Sequence, residues 1–176
     1  MLFRSSLAEA MAEAYGLELK VKWPNDIYYQ NRKVGGILIE NTIYDFEVRQ
    51  SIVGIGLNVN QTEFPAELPN PVSLRQILGR ELSTETIYVS VCRNLEKNYL
   101  KLKSSGEKQI REDYHRCLLR RGEWGWYEVN GQRMEAMILG VNQEGRLMIQ
   151  EQSGHSLHFD PKTIRYLFGP EDSNGF

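Results

Sequence analysis

Residues 22–40 read KWPNDIYYQNRKVGGILIE. The stretch begins and ends like a β-strand. Between the ends lie Pro24, the pair Asn25-Asp26, a short polar turn, Lys33, and the adjacent Gly35 and Gly36. A hairpin requires only the turn, so the proline, amide, carboxylate, lysine and glycines call for a chemical reason. Upstream, LELKVKW alternates, with Leu17, Leu19, Val21 and Trp23 on one face and Glu18, Lys20 and Lys22 on the other, the pattern of a half-buried strand. Pro24 is expected to end regular pairing or to sit at an edge. IYYQ and KVGGILIEN are read as the next two strands, with Asn31-Arg32 as their turn. DFEVRQSIVGIGLNVN, residues 45–60, is read as two more.

Around this centre the pattern changes twice. Phe3, Leu7, Ala10, Met11 and Ala14 recur at helical spacing before Gly16, a natural C-terminal stop. From Gln61 to Pro71 three prolines and few apolar residues mark a surface loop. SLRQILG reads as a short helix. Ser83 or Thr84 can cap a longer one, whose buried stripe is expected at Ile87, Val91, Leu95 and Leu102, with Tyr88, Cys92 and Tyr99 beside it. A last helix carries Ile110 and Tyr114. Beyond Leu119, WGWYEV, RMEAMILGV, RLMIQEQ and HSLHF are short strands separated by polar, glycine-containing turns, which points to a small antiparallel barrel or sandwich with Trp124 and Trp126 in its core. The tail GPEDSNGF is expected to be disordered. The reading is an α+β chain with three parts: a first domain over residues 1–118, a small β-domain over 119–168 and a tail over 169–176.

Composition narrows the function. The chain has 176 residues, 41% of them hydrophobic and 25% charged, enough apolar material for a core. The net charge of −2 offers no global basic field for nucleic acid or an anionic membrane. No apolar run approaches the ~20 residues needed to cross a bilayer, and Glu9 and Glu13 make the N-terminus a poor signal peptide. Cys92 and Cys117 lack metal-ligand spacing and are expected as free thiols in a reducing cytoplasm. His115, His155 and His158 have no partners at ligand spacing.

Two clusters carry chemistry. If the hairpin closes, Lys33 returns along the strand that began near Asp26, bringing an ammonium and a carboxylate together beside Lys22 and Asn25. Asp26 could hold Mg²⁺ on a phosphate while Lys33 takes a phosphate or carboxylate oxygen. Gly35 and Gly36 would let a ligand approach the backbone. The second cluster is GIGLNVN, residues 54–60: Gly54 and Gly56 leave one strand face bare, and Asn58 offers both a donor and an acceptor. The alternatives are plain ones: a bulged hairpin with solvated lysines, and a strand passing close to another element.

Together, KWPNDIYYQNRKVGGILIE and GIGLNVN resemble the central region of biotin protein ligases. SSLAEAMAEAYG resembles the helix before that strand, SLRQILGRELS the later helical segment, and the final β-region the SH3-like C-terminal domain. Lipoate ligases share a looser version of the motif; Trp23-Pro24 and the β-rich tail favour biotin. The resemblance implies a partial mixed sheet with helices, as in class II synthetase-like biotin ligase domains, plus an SH3-like barrel. It implies activation of biotin by ATP and Mg²⁺ to biotinyl-AMP, then transfer to a lysine of the biotin carrier domain of a carboxylase, in the cytoplasm. Lys33 matches the catalytic lysine that contacts the biotin carboxylate and the phosphate. Lys22, Trp23, Asn25 and Asp26 match the ATP and Mg²⁺ side, with Asp26 as the metal ligand. Gly35, Gly36, Ile37, Gly54 and Gly56 match the floor of the biotin site, and Asn58 an adenylate-side asparagine.

The sequence departs from the family pattern in one respect. The GRGR-type loop that closes over the adenylate, and the Thr/Ser and Gln residues that read the ureido ring, are not found. The reading is therefore of a ligase that is incomplete as a single chain, expected to bind biotin weakly and make little biotinyl-AMP. The other readings are a non-catalytic remnant or interaction module, or a lipoate-ligase-like acyl-protein ligase. No DNA-binding domain is read and no nucleic-acid or membrane partner is expected; homodimers through sheet edges are.

Overall fold

The computed structural model describes residues 1–45 and 47–168; the tail at 169–176 lies outside them. The chain divides into two compact units, Met1–Cys117 and a second that starts at Leu118. Each is built on its own antiparallel sheet.

The first unit opens with α1 (Leu2–Tyr15), which ends where Gly16 takes a left-handed conformation at φ 66°; Gly16 N–H donates to Ala12 O and Leu17 N–H to Met11 O. The alternation of Leu17, Leu19, Val21 and Trp23 is fully used: all four are buried. It leads into β1 (Lys20–Lys22), then β2 (Asp26–Tyr29), β3 (Arg32–Tyr44) and β4 (Glu47–Leu57), paired in the order β1-β2-β3-β4. This sheet is antiparallel at every pairing, not mixed as expected. Its strands are joined by short turns, and short turns permit only antiparallel neighbours. Parallel pairing occurs as an isolated bridge between Lys33 and Pro71.

Two details of the hairpins differ from the sequence reading. The β2–β3 turn falls on Gln30-Asn31, not Asn31-Arg32: Gln30 takes φ 53° and Tyr29 pairs with Arg32. Residues 47–57 form one strand where two were expected; no proline or turn residue interrupts them, and a register shift between Thr42 and Ile43 absorbs the irregularity.

Three helices follow: α2 (Leu74–Leu78), α3 (Thr84–Lys103) and α4 (Glu107–Cys117). Ser73 and Gln76 close a reciprocal capping box on α2, and Ser83 caps α3. The buried stripe of α3 is Ile87, Val91, Asn94 and Asn98. This corrects the expected stripe, since Leu102 is 39% exposed and Tyr88 and Tyr99 more so. The polar residues are buried because α1 presents polar partners. Asn98 donates to Ser6 Oγ at 2.9 Å and to Glu9 at 3.2 Å, and Asn94 donates to Glu13 at 3.0 Å.

The second unit holds β5 (Trp124–Val129), β6 (Gln132–Val141), β7 (Leu147–Glu151), β8 (Ser156–Phe159) and β9 (Ile164–Tyr166), in the order β8-β7-β6-β5-β9. Among the described residues β8 and β9 are not paired, so the sheet is open. Tyr127, Ala136, Ile138, Leu147, Ile149 and Tyr166 form its core. Trp124 and Trp126, expected inside, are 47% and 53% exposed. They alternate with Tyr127, whose ring is buried and packs edge-on against Tyr166 at 5.2 Å, so the tryptophans fall on the outer face.

Candidate active site

Strict strand alternation would send Lys33 and Gly36, three residues apart, to opposite faces of β3. A bulge prevents this. Asp26 pairs with Gly36 and Ile27 with Gly35, but Tyr28 pairs with Lys33, so Val34 is the extra residue. Val34 turns into the core, where it is fully buried. Lys33 emerges on the same face as Asp26 and Gly36, with its Nζ 2.6 Å from Asp26 Oδ1. Lys22, directly opposite Asp26 across β1 and β2, places its Nζ 3.6 Å from Oδ2.

The bulge is held from the β4 side. Lys33 N–H donates to Asn70 O and Lys33 O accepts from Val72 N–H, at 2.8 and 2.9 Å. Asn58 N–H donates to Val34 O at 2.8 Å, and its Nδ2 reaches Val72 O at 3.2 Å. The side-chain amide of Asn58 is thus spent on the backbone that positions Lys33.

The glycines divide into two groups. A Cβ on Gly35 would meet Gly56 O at 2.2 Å, so Gly35 is required by the close approach of β4. It lies on the buried side of the sheet, as does the side chain of Ile37; neither offers a side chain to the open face. Gly36, Gly54 and Gly56 are different. Gly36 pairs with Gly56 and Gly54 with Leu38, which puts all three on the face that carries Asp26. Added Cβ atoms there would meet nothing closer than 3.5 Å, and none of the three has a positive φ. Neither packing nor backbone conformation calls for glycine at these positions. Their effect is a bare patch of sheet, the floor of an open cleft of about 480 Å³ that reaches Asn25 and Asp26.

The charge around this floor is positive. Burial pulls the Lys22 pKa below the ordinary lysine value, Asp26 opposes that shift, and the like charge of Lys33 adds to it. The Tyr28 hydroxyl is pushed up to about 12 by burial and by Asp26. A further cation comes from outside the motif: Arg4 of α1 donates from Nη2 to Asn25 Oδ1. Burial lowers its pKa, and its Nε is buried without a partner. Arg4 belongs to neither sequence cluster, because the contact spans 21 positions and a helix-to-turn packing that no local pattern encodes. Trp23, assigned by resemblance to the nucleotide side, is only 4% exposed and belongs to the core. Asp26, assigned to Mg²⁺, is the shared counter-ion of two lysines. No group of three or more potential metal-ligating side chains occurs among the described residues. One carboxylate already engaged by two ammonium groups is a poor cation site by itself.

Residues 5–58 match the Biotin/lipoate A/B protein ligase family. The chain is 29% identical over 157 residues to the bifunctional ligase/repressor BirA of Bacillus subtilis, covering 88% of this chain and 48% of that protein. It is 33% identical over 165 residues to biotin–protein ligase 2 of Arabidopsis thaliana, covering 90% of this chain and 46% of that one. Over most of its length the chain is similar to biotin protein ligases. It spans about half the length of the curated relatives it matches. Among solved structures, a mutant biotin protein ligase from Aquifex aeolicus in complex with biotin superposes with a TM-score of 0.76 at 25% identity, over 96% of this chain and 70% of that one. The family match ends at Asn58, so it contains the bulged hairpin and the glycine-bare face together.

Proposed function

We propose that the chain carries part of a biotin protein ligase site that activates biotin with Mg·ATP and transfers it to a lysine of a carboxylase's biotin carrier domain. The observation that carries this reading is the bare floor of Gly36, Gly54 and Gly56 beside the Lys22–Asp26–Lys33 cluster. A flat, largely apolar ring system suits a floor without side chains, and its carboxylate would face the ammonium of Lys33. The carboxylate oxygen attacks the α-phosphorus of ATP, the bond to the β-phosphate oxygen breaks, and pyrophosphate leaves. Lys33 lies between the two anions and offsets their repulsion as charge builds on the phosphoryl oxygens. In the second step the carrier amine attacks the mixed-anhydride carbonyl and AMP departs. The divalent ion is treated as part of the Mg·ATP substrate, because Asp26 already serves the lysines.

In this reading residues 1–118 are the catalytic portion and 119–168 an SH3-like domain, the open five-stranded sheet being its structural support. The outer edge of β4, unpaired among the described residues, is the edge suited to a second copy. No helix among the described residues is long and apolar enough to cross a membrane. The test is biotin-dependent release of pyrophosphate and formation of biotinyl-AMP, read by mass spectrometry, with lipoate as the competing acid and Lys33→Met as control. Activity indifferent to the Lys33 change, or greater with lipoate than with biotin, would overturn it.

A further inference from the structure

Arg4 is an unusual residue to find in the packed part of a helix. Its guanidinium is largely buried, its Nε has no hydrogen-bond partner, and no carboxylate pairs with it among the described residues. Among the described residues its one side-chain hydrogen bond goes to Asn25, the residue beside Asp26 at the rim of the cleft. A guanidinium carries only donors. The atom of Asn25 that faces it must therefore be the carbonyl oxygen, and the Nδ2 edge of the planar amide is turned away from α1. The Asn25 backbone is held as well, since its carbonyl accepts the Ile37 N–H at 2.8 Å. The amide thus has one orientation, set by a residue in another element. Without Arg4 the two edges of the amide would be free to exchange places, presenting an acceptor where an anion needs a donor.

From this geometry we infer that Arg4 is a positioning residue, which acts through Asn25 by holding its Nδ2 as a donor toward the anionic, phosphate-bearing ligand of the cleft. The inference rests on the ligase reading for the identity of that ligand, but not for the orientation of the amide. Arg4 also adds positive charge behind Asn25, next in sequence to the carboxylate, Asp26, that Lys22 and Lys33 share. That excess favours an anion at the same place.

The experiment uses the full chain and two readouts. Calorimetric titration with Mg·ATP compares wild type with Arg4→Met, Arg4→Lys, Asn25→Ala and the Arg4→Met/Asn25→Ala double variant, each first checked for native circular dichroism. We expect Arg4→Met and Asn25→Ala each to weaken binding about tenfold, equivalent to ~1.4 kcal/mol. The double variant should be no weaker than Asn25→Ala alone, and Arg4→Lys, which keeps a donor, should recover most of the loss. Additive losses would mean that Arg4 meets the ligand directly, and unchanged binding in Arg4→Met would mean that it only fills space; either overturns the inference. The second readout needs no ligand. The Asn25 side-chain amide resonances of the free chain should move in Arg4→Met and return in Arg4→Lys. If they do not move, the inference fails. If they move but wild type binds no Mg·ATP, the positioning of the amide stands and the ligase reading is what fails.

Discussion

Gly35 and Gly36 are neighbours of the same type with opposite reasons for being glycine, and alanine substitution separates them. At position 35 the new Cβ would lie 2.2 Å from Gly56 O and 3.1 Å from Leu57 Cα, both backbone atoms. A carbon and a carbonyl oxygen in contact stay about 3.3 Å apart, so β3 and β4 must part locally by roughly 1 Å. A ladder bond near 2.9 Å lengthened by that much is no longer a hydrogen bond. Overpacking of this kind costs about 1–3 kcal/mol, and each lost ladder bond about 1 kcal/mol. A total near 3 kcal/mol would lower Tm by roughly 6–12 °C in a chain of this size. At position 36 the Cβ would meet Asp26 Oδ1 at 3.5 Å and Asn25 O at 3.6 Å, ordinary contacts, in a backbone that any residue adopts. Gly36→Ala is therefore expected to leave stability unchanged or raise it by about 0.5 kcal/mol. Its methyl group would stand on the cleft floor and weaken biotin binding. Urea and thermal unfolding followed by circular dichroism measure the first effect, and calorimetry with biotin measures the second. Equal stability of the two variants would refute the reasoning about Gly35. Undiminished biotin binding in Gly36→Ala would refute the assignment of the bare face.

Three further outcomes follow from the geometry. In a complete version of the enzyme, Lys33→Met should slow pyrophosphate release by about 10²-fold, as loss of one electrostatic stabiliser does, while unfolding changes by less than about 1 kcal/mol because the ion pair to Asp26 is partly exposed; a matching fall in stability would point to a structural lysine. For Asp113, burial pushes the carboxyl pKa upward, but hydrogen bonds from Gln109, Lys101 and Arg116 outweigh it and hold the group below its ordinary value. The folded pKa lies below the unfolded one, so the stabilisation is complete above about pH 4 and is lost as pH falls through the folded value. Asp113→Asn should therefore cost about 1–3 kcal/mol at pH 7 and progressively less below pH 4, and a penalty that stays constant to pH 3 in urea titrations would contradict this. Trp126→Ser should alter the unfolding of the chain by less than about 1 kcal/mol, since that ring is 53% exposed; a loss of several kcal/mol would place the ring in a core after all.

Much of the first unit was legible because its signals are local. The period-2 run Leu17–Trp23, the glycine stop at 16 and the Ser83 cap all depend on residues within a few positions of each other, and all are realised. The glycines of GIGLNVN were legible as a bare face for the same reason. The stripe of α3 was misjudged because hydrophobicity alone cannot foresee that α1 would offer Ser6, Glu9 and Glu13 to buried asparagines. The tryptophans of β5 were misjudged because alternation gives two faces without saying which is inside, and Tyr127 took the inner one.

The sequence by itself determined most of the helices and strands, and which chemical groups are available: two lysines, an aspartate and side-chain-free glycines within one short span. Their convergence was decided by the tertiary structure. Alternation alone would have set Lys33 on the face opposite Gly36. The single extra residue Val34, drawn into the core and fixed by Asn58 and the 70–72 segment, reverses that face and brings the ammonium to Asp26. The same holds for Arg4, whose reach to Asn25 depends on how α1 packs beside the β1–β2 turn. Strand periodicity is a property of neighbours along the chain. Register, bulges and helix placement are set by which buried groups find partners across it, and those partners are distant in sequence.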